Sequence, residues 1–403
     1  MMRGMIRRLI AALTFIAAPA AAEVYVPPPP ATVVVGFDRE TITPLIVEGL
    51  ANLETERPVE ANDPVRIASI SKLIMALTAL RLVDEGKLDL DRDVSDYLGW
   101  KLRSPFHPDA PVTLAHLLSH RAGLSDKAGY VIPLGESLAA KLADPAAWRD
   151  TGPSGAAAFE YANLGSPLVA TALEAASVER YDRLVERLVF KPLGVKACLN
   201  WIGCDGDMQA RKVTLYRHTG EVAADGAERL SGACTIPVAE GQACDLEAYV
   251  PGTNASIFSP QGGVRIGMMD LARIGQGLLR MNRNGFLSDS AMRRWFGDMA
   301  AAADGHEPGT AAVDFCAYGL AAYALVDEAP CTDDLFGDGH GRIGHGGEAY
   351  GLRSGLWLSF EQATSFAYFT TAVPPPSGAV ESAASDPREK ELMARALELV
   401  AKP

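Results

Sequence analysis

The chain has 403 residues, of which 48% are hydrophobic and 22% charged, and carries a formal net charge of -13. That length supports a sizeable core in one or two lobes, and the acidic balance offers nothing to a phosphate backbone, so nucleic-acid binding is set aside. No heptad run, internal repeat or zinc-type cysteine cluster is present in the sequence.

Residues 1–22 read as a secretory signal peptide. Arg3, Arg7 and Arg8 precede the apolar run Leu9 to Ala18, and Ala20-Ala21-Ala22 fits a small-residue cleavage site. An uncut N-terminal anchor is the alternative, but the run is short for a bilayer span. Removal of three arginines and no acidic residue leaves 34 basic against 50 acidic side chains, a net charge of -16. The expected location is periplasmic or secreted, with no stable membrane insertion after cleavage. The six cysteines fall into close pairs, Cys198 with Cys204, Cys234 with Cys244, and Cys316 with Cys331. Export permits disulfides. Nearest-neighbour pairing is one connectivity among several, and buried free thiols are the alternative.

Pro27 to Pro30 forms a stiff linker. Thr32 to Phe37 reads as a buried strand, Asp38 to Glu40 as a turn, and Ile42 to Leu53 as a source of a partner strand. From Ile67 the period changes. Ile70, Leu73, Ile74, Leu77 and Leu80 recur at three and four, with Met75, Ala76 and Ala79 between them, which predicts a helix buried on most sides and stopped by Gly86. Helical patterns follow at Leu114 to Ser119, Pro167 to Ala176, Tyr181 to Val189 and Asp270 to Met281. Residues 198–252 have no clean period and carry four cysteines, so they read as a stapled excursion. Gly355 to Phe360 and Ser365 to Thr370 read as strands joined by a turn at Glu361 to Thr364, and Arg388 to Val400 as an amphipathic helix that packs on the sheet. Strands at both ends with helices between them predict an α/β (α+β) fold, an antiparallel sheet flanked by helices with an inserted helical lobe. The expected boundaries are 23–95 and 255–403 for the sheet domain and 96–254 for the lobe.

Ser69-Ile70-Ser71-Lys72 occurs once, at the start of the buried helix. Residues three apart on a helix share a face, so Ser69 and Lys72 can meet. A serine hydroxyl needs a base to become a nucleophile. At a reference pKa of about 10.4, only about one lysine in 2,500 is neutral at pH 7, but burial disfavours the charged form. The helix start also aims free N–H groups at a developing oxyanion. A capping serine beside a snorkelling lysine gives the same spacing without chemistry. Tyr161-Ala162-Asn163 also occurs once. A phenol is easier to ionise beside an ammonium, the pair can share one proton, and Asn163 offers an amide to orient Lys72 or hold a substrate carbonyl. Gly344-His345-Gly346-Gly347-Glu348 allows close approach of a strand backbone to a ligand, can supply a second oxyanion N–H, and puts His345 within reach of a substrate. An ordinary buried tyrosine and a glycine-rich turn are the favoured readings of these two segments when each is taken alone.

Together the segments resemble the serine β-lactamase and penicillin-binding protein superfamily, in its class C-like branch of D-alanyl-D-alanine carboxypeptidases, D-aminopeptidases and β-lactamase-like carboxylesterases. Arg66 to Lys72 is similar to the nucleophile segment, Val112 to Leu124 to the helix beyond it, and Phe159 to Gly165 to the second motif. Lys191-Pro192-Leu193-Gly194 and Gln261-Gly262-Gly263 are similar to later markers, and His345-Gly346-Gly347 falls at the third motif. The resemblance implies Ser69 as nucleophile, Lys72 and Tyr161 as the proton-transfer pair, Asn163 as a positioning group, and His345, Gly346, Gly347 and Glu348 along the substrate strand. It implies an oxyanion hole from the N–H groups of Ser69 and Glu348, and no cofactor or metal. His345 stands where β-lactamases have lysine. At a reference pKa of about 6.5 it is only about one quarter charged at pH 7, so its grip on a substrate carboxylate is expected to be weak. The expected function is cleavage of a small ester or amide through a Ser69 acyl-enzyme. D-alanyl-D-alanine carboxypeptidase, D-aminopeptidase or β-lactamase activity is the alternative, and a non-turnover binding or sensor protein of the same fold is the more remote one. His116 and His120, at i and i+4, form a metal-type pair without a third ligand, and no G-x-S-x-G elbow is present.

Overall fold

A computed structural model describes residues 31–223, 225, 234–280, 285–297, 315, 317–325, 327–328, 331–332, 334–361, 363–374 and 386–401. The segment expected to be a signal peptide, the expected proline linker and Cys316 lie outside the described residues.

Strand β1 (Thr32–Phe37) is a β-branched run buried along its whole length. It turns at Asp38, whose Oδ1 accepts from the N–H groups of Glu40 and Thr41 at 2.7 Å each, and returns as β2 (Ile42–Glu48). Three short strands, β3 (Val65–Arg66), β4 (Ala197–Leu199) and β5 (Val264–Ile266), form a small sheet in the order β3-β5-β4. The later strands are β6 (Ala317–Tyr318), β7 (Tyr323–Leu325), β8 (Arg342–Ala349), β9 (Leu352–Leu358) and β10 (Ser365–Thr370). They complete a seven-stranded sheet in the order β2-β1-β10-β9-β8-β7-β6. Every neighbouring pair in it is antiparallel. Among the described residues the first and last strands therefore pair within this sheet, Val34 opposite Tyr368.

The period-two alternation of these strands fills two cores. Val33, Val35, Leu356, Leu358, Ala367 and Phe369 enter the larger one, with helices α1 (Ile70–Asp84), α2 (Leu114–Leu118), α3 (Gly165–Ser177) and α4 (Met268–Leu279). Val34, Trp357, Phe366 and Tyr368 point the other way, against Leu392, Met393 and Ala396 of α5 (Pro387–Val400). With both faces covered, the central strands have no polar face to show. Helix α1 is apolar nearly all round, as its sequence predicts, because it lies between the sheet and the helical layer.

One expectation changes in detail. The helix predicted from Tyr181 to Val189 is α-helical only over Tyr181–Val185 and continues as a π-turn over Glu186–Phe190. Pro192, two residues on, has no N–H to continue a regular ladder. The irregular stretch after residue 198 forms disulfides Cys198–Cys204 and Cys234–Cys244, the nearest-neighbour pairing. Its far end is tied to α3 by a buried carboxylate. Glu174 Oε1 accepts from the Tyr181 N–H at 2.8 Å, and its Oε2 from the Tyr249 hydroxyl at 2.6 Å and the Gly252 N–H at 2.8 Å. Tyr249→Phe leaves that buried oxygen one donor short. It is expected to cost roughly 1–3 kcal/mol, read as a lower urea midpoint at unchanged slope; an unmoved midpoint would show that the clip contributes nothing.

Candidate active site

The chain enters α1 through a tight turn. Ala68 has φ +45°, a left-handed conformation uncommon for a residue with a Cβ, and Ser69 then takes up helical geometry with its hydroxyl unused as a cap. The turn is held from the sheet side. Ser354 Oγ donates to the Ile67 carbonyl at 3.1 Å, and Gly347 on β8 lies so close that a Cβ there would stand 2.4 Å from the same carbonyl and 3.3 Å from Ala68 Cβ. Glycine is required at 347 for this approach. The 347–348 backbone is thereby brought beside Ser69, and Glu348 and Ser69 line one cavity of about 590 Å3.

Lys72 sits one helical turn beyond Ser69 and is 1% exposed. Its Nζ lies 3.0 Å from Ser69 Oγ, 2.8 Å from Asn163 Oδ1 and 3.1 Å from the Gln261 carbonyl oxygen. Two of these three partners can only accept. As an ammonium, Lys72 donates to all three. As a neutral amine its two N–H groups stay on the carbonyl oxygens, and the lone pair is left for the Ser69 hydroxyl. Burial lowers the Lys72 pKa to about 7, against an opposing pull from Asp126. Near neutrality a large fraction of the side chain is therefore an amine. The Asn163 amide is oriented from behind, its Nδ2 donating to Asp126 Oδ2 at 3.0 Å.

Tyr161 closes the other side. The Lys72 amine sits over its ring at 4.7 Å from the centroid, and the phenol is hydrogen-bonded with Ser69. The sequence suggested that an adjacent ammonium would ease ionisation of this phenol. Burial, the larger effect, instead pushes its pKa up, outweighing the downward pull of Ser69. Of the two groups, Lys72 is the one that releases a proton near pH 7.

His345 departs most from expectation. It is 2% exposed and is absent from the lining of the Ser69 cavity, as are Gly346 and Gly347. From the expected set the cavity wall takes Ser69, Asn163 and Glu348, while Lys72 and Tyr161 are absent from it as well. The His345 imidazole belongs to a buried relay whose proton positions follow from the partners. His120 Nδ1 accepts from the Ala162 N–H at 3.2 Å, so its Nε2 carries hydrogen and donates to the Tyr318 hydroxyl at 3.2 Å. Tyr318 donates to His345 Nε2 at 3.1 Å, and His345 Nδ1–H donates to the Gly346 carbonyl at 2.5 Å. Burial, reinforced by Lys72, lowers the His345 pKa to about 3, and that of His120 falls well below its usual value for the same reasons. A neutral, enclosed imidazole offers no charge to a carboxylate in the cavity. A lysine there would bury an ammonium instead. The His116–His120 pair also separates. His120 has φ +56°, beyond the end of α2, and His116 Nδ1 meets Ser154 Oγ at 2.9 Å.

Several cavity residues escaped the sequence reading. Asp225, Thr235 and Pro237 bring the cysteine-bearing excursion onto the wall. Arg66 Nε and Arg265 Nη2 both donate to Asp225 Oδ1, the latter at 2.9 Å. Arg353 holds Glu348 at 3.0 Å. Arg66 lies inside a quoted motif, but an aspartate in an aperiodic stretch carries no local signal.

The family described as Beta-lactamase matches residues 25–386 of this chain. Esterase EstB of Burkholderia gladioli is 32% identical over 164 residues, 38% of this chain and 42% of that protein. The D-alanyl-D-alanine-carboxypeptidase/endopeptidase AmpH of Escherichia coli (strain K12) is 32% identical over 140 residues, 33% of this chain and 35% of that protein. The aligned stretches thus span less than half the length of these relatives. Among solved structures, D-amino acid amidase from Ochrobactrum anthropi SV3 superposes with a TM-score of 0.64 at 18% identity, covering 92% of each chain. A class C β-lactamase from Rhodobacter sphaeroides gives 0.61 at 17% identity, covering 93% of this chain and 95% of that one. At these identities the likeness is one of fold.

The relay gives a direct prediction. Imidazole NMR from pH 5 to 8 is expected to show His345 neutral with hydrogen on Nδ1 and His120 neutral with hydrogen on Nε2. Unfolded histidines bind a proton below about 6.5, whereas His345 in the fold waits until about 3. The unfolded state therefore binds more protons in that window, and stability should fall as pH drops from about 6.5 toward 3. Titration of His345 near 6.5 would contradict the relay.

Proposed function

The chain belongs to the Beta-lactamase family, and from that premise we propose that it is an exported serine hydrolase that cleaves a small ester or amide through an acyl-enzyme on Ser69. The observation that carries this reading is the Lys72 amine, 3.0 Å from Ser69 Oγ with its other two directions committed to carbonyl oxygens. In the first step neutral Lys72 takes the Ser69 proton as Oγ attacks the substrate carbonyl. The N–H groups of Ser69 and Glu348 receive the oxyanion. Collapse of the tetrahedral intermediate breaks the bond to the leaving group, and the Lys72 proton returns to that group directly or across the Tyr161 hydroxyl. Water then attacks the acyl carbonyl with its proton going to the same base, which releases the acid and restores Ser69. The cleft lies between a sheet unit of 23–95 and 255–403 and a helical lobe of 96–254.

The chemistry of the wall favours substrates without a carboxylate at the third-motif strand. His345 is neutral and enclosed there, and Glu348 on the cavity wall is already paired with Arg353 at 3.0 Å. This supports esters and uncharged amides ahead of penicillins. The partial likeness to EstB supports the ester branch, and that to AmpH keeps D-peptides as the rival. Export is supported by the apolar, arginine-led start of the chain and by the two disulfides, which persist in oxidising compartments.

Intact-mass spectrometry with a fluorophosphonate and a short-chain p-nitrophenyl ester tests the reading. The wild type is expected to gain one adduct and Ser69→Ala none. Lys72→Ala should slow adduct formation by about 10²–10⁴-fold, the usual contribution of a general base. A folded wild type without an adduct, or an adduct that survives Ser69→Ala, would refute it.

A further inference from the structure

We propose that Asp126 is a positioning residue for acylation at Ser69, holding the Asn163 amide so that its oxygen and not its nitrogen meets Lys72. This rests on the reading of Ser69 as nucleophile and Lys72 as base. Asp126 opens a short 3₁₀ turn, Asp126–Ala128, which Ser125 caps through the Lys127 N–H. Its Oδ2 accepts from the Asn163 N–H at 2.9 Å and from Asn163 Nδ2 at 3.0 Å, and its Oδ1 from the Leu164 N–H at 2.9 Å. Three donors thus converge on one acceptor-only group, just before the first turn of α3.

The consequence concerns a side chain with two nearly isosteric ends. Were the Asn163 amide reversed, its NH₂ would face the N–H groups of Lys72, and its oxygen would face a carboxylate. Both contacts would be donor against donor or acceptor against acceptor. The carboxylate at 126 therefore selects one orientation, and that orientation occupies one N–H of the neutral lysine and frees the lone pair for Ser69. The same charge holds a proton on Lys72 against the effect of burial. The other titratable groups around the amine are Tyr161, under it at 4.7 Å, and the buried neutral His120 and His345. Asp126 is the acid among them.

Two readouts separate positioning from mere support of the fold. The first is the titration of Lys72 itself, followed by NMR in protein carrying [13Cε]lysine. The second is the rate of fluorophosphonate labelling of Ser69 at about pH 9, where the lysine is largely neutral in every variant. Asp126→Asn is expected to move the Lys72 titration to lower pH and to slow labelling about tenfold or more through loss of alignment. Asp126→Glu, which keeps the charge on a longer arm, should leave the titration close to the wild-type value while labelling slows. An unmoved Lys72 titration in folded Asp126→Asn, or labelling at the wild-type rate, would overturn the proposal. Absence of Ser69-dependent labelling in the wild type would instead overturn the acyl-enzyme reading, and the Lys72 titration would still decide whether Asp126 acts on the amine.

Discussion

A lysine amine taken out of water has to find oxygen partners inside the protein, and the arrangement of this cleft follows from the three that Lys72 finds. Ser69 comes from its own helix, Asn163 from the turn before the next long helix, and the Gln261 carbonyl from the loop leading into the small sheet. Three separate segments must be in register for the amine to be satisfied. The buried surface of α1 holds the lysine in, and the left-handed turn at Ala68 sets the serine at the helix start. The same desolvation that makes the lysine costly to charge makes it a base near pH 7.

The third-motif strand works by proximity of backbone. Gly347 lets β8 touch the turn at Ile67 and Ala68, and that contact brings Glu348 to the cavity. Behind it, the His120–Tyr318–His345 relay fills the space with neutral groups whose donors and acceptors are matched in sequence. Where a cation on this strand would attract a carboxylate, the relay presents none to the cavity. The cysteine-bearing excursion adds Asp225, Thr235 and Pro237 to the same cavity wall.

What the sequence revealed and what it hid follow the range of the interactions. The Ser69–Lys72 pair was legible because helix geometry alone brings residues three apart together, and β1, β9 and β10 because a short apolar run between turn residues is a local signal. The pairings Cys198–Cys204 and Cys234–Cys244 join near neighbours in the chain. The orientation of His345 was not legible, since it is fixed by Tyr318, 27 residues away, and through it by His120. Asp126 was hidden for the same reason. Nothing beside it in the chain marks the aspartate, and the amide that gives it its meaning is 37 residues further on. The ionisation of Tyr161 was misread because nearness to a lysine was weighed without the burial that the fold imposes on both groups.

In the proposed reaction Lys72 is the base, set near neutrality by burial. The rate of phosphonylation of Ser69 by an excess of fluorophosphonate, with loss of fluoride, measured across pH in the wild-type protein, is the decisive quantity. The rate is expected to rise through a single ionisation with a midpoint close to the Lys72 value of about 7 and then level off. A midpoint near the ordinary lysine value of about 10.4, or a rate indifferent to pH, would contradict the account, because the amine would then be either unperturbed or not the group that takes the proton.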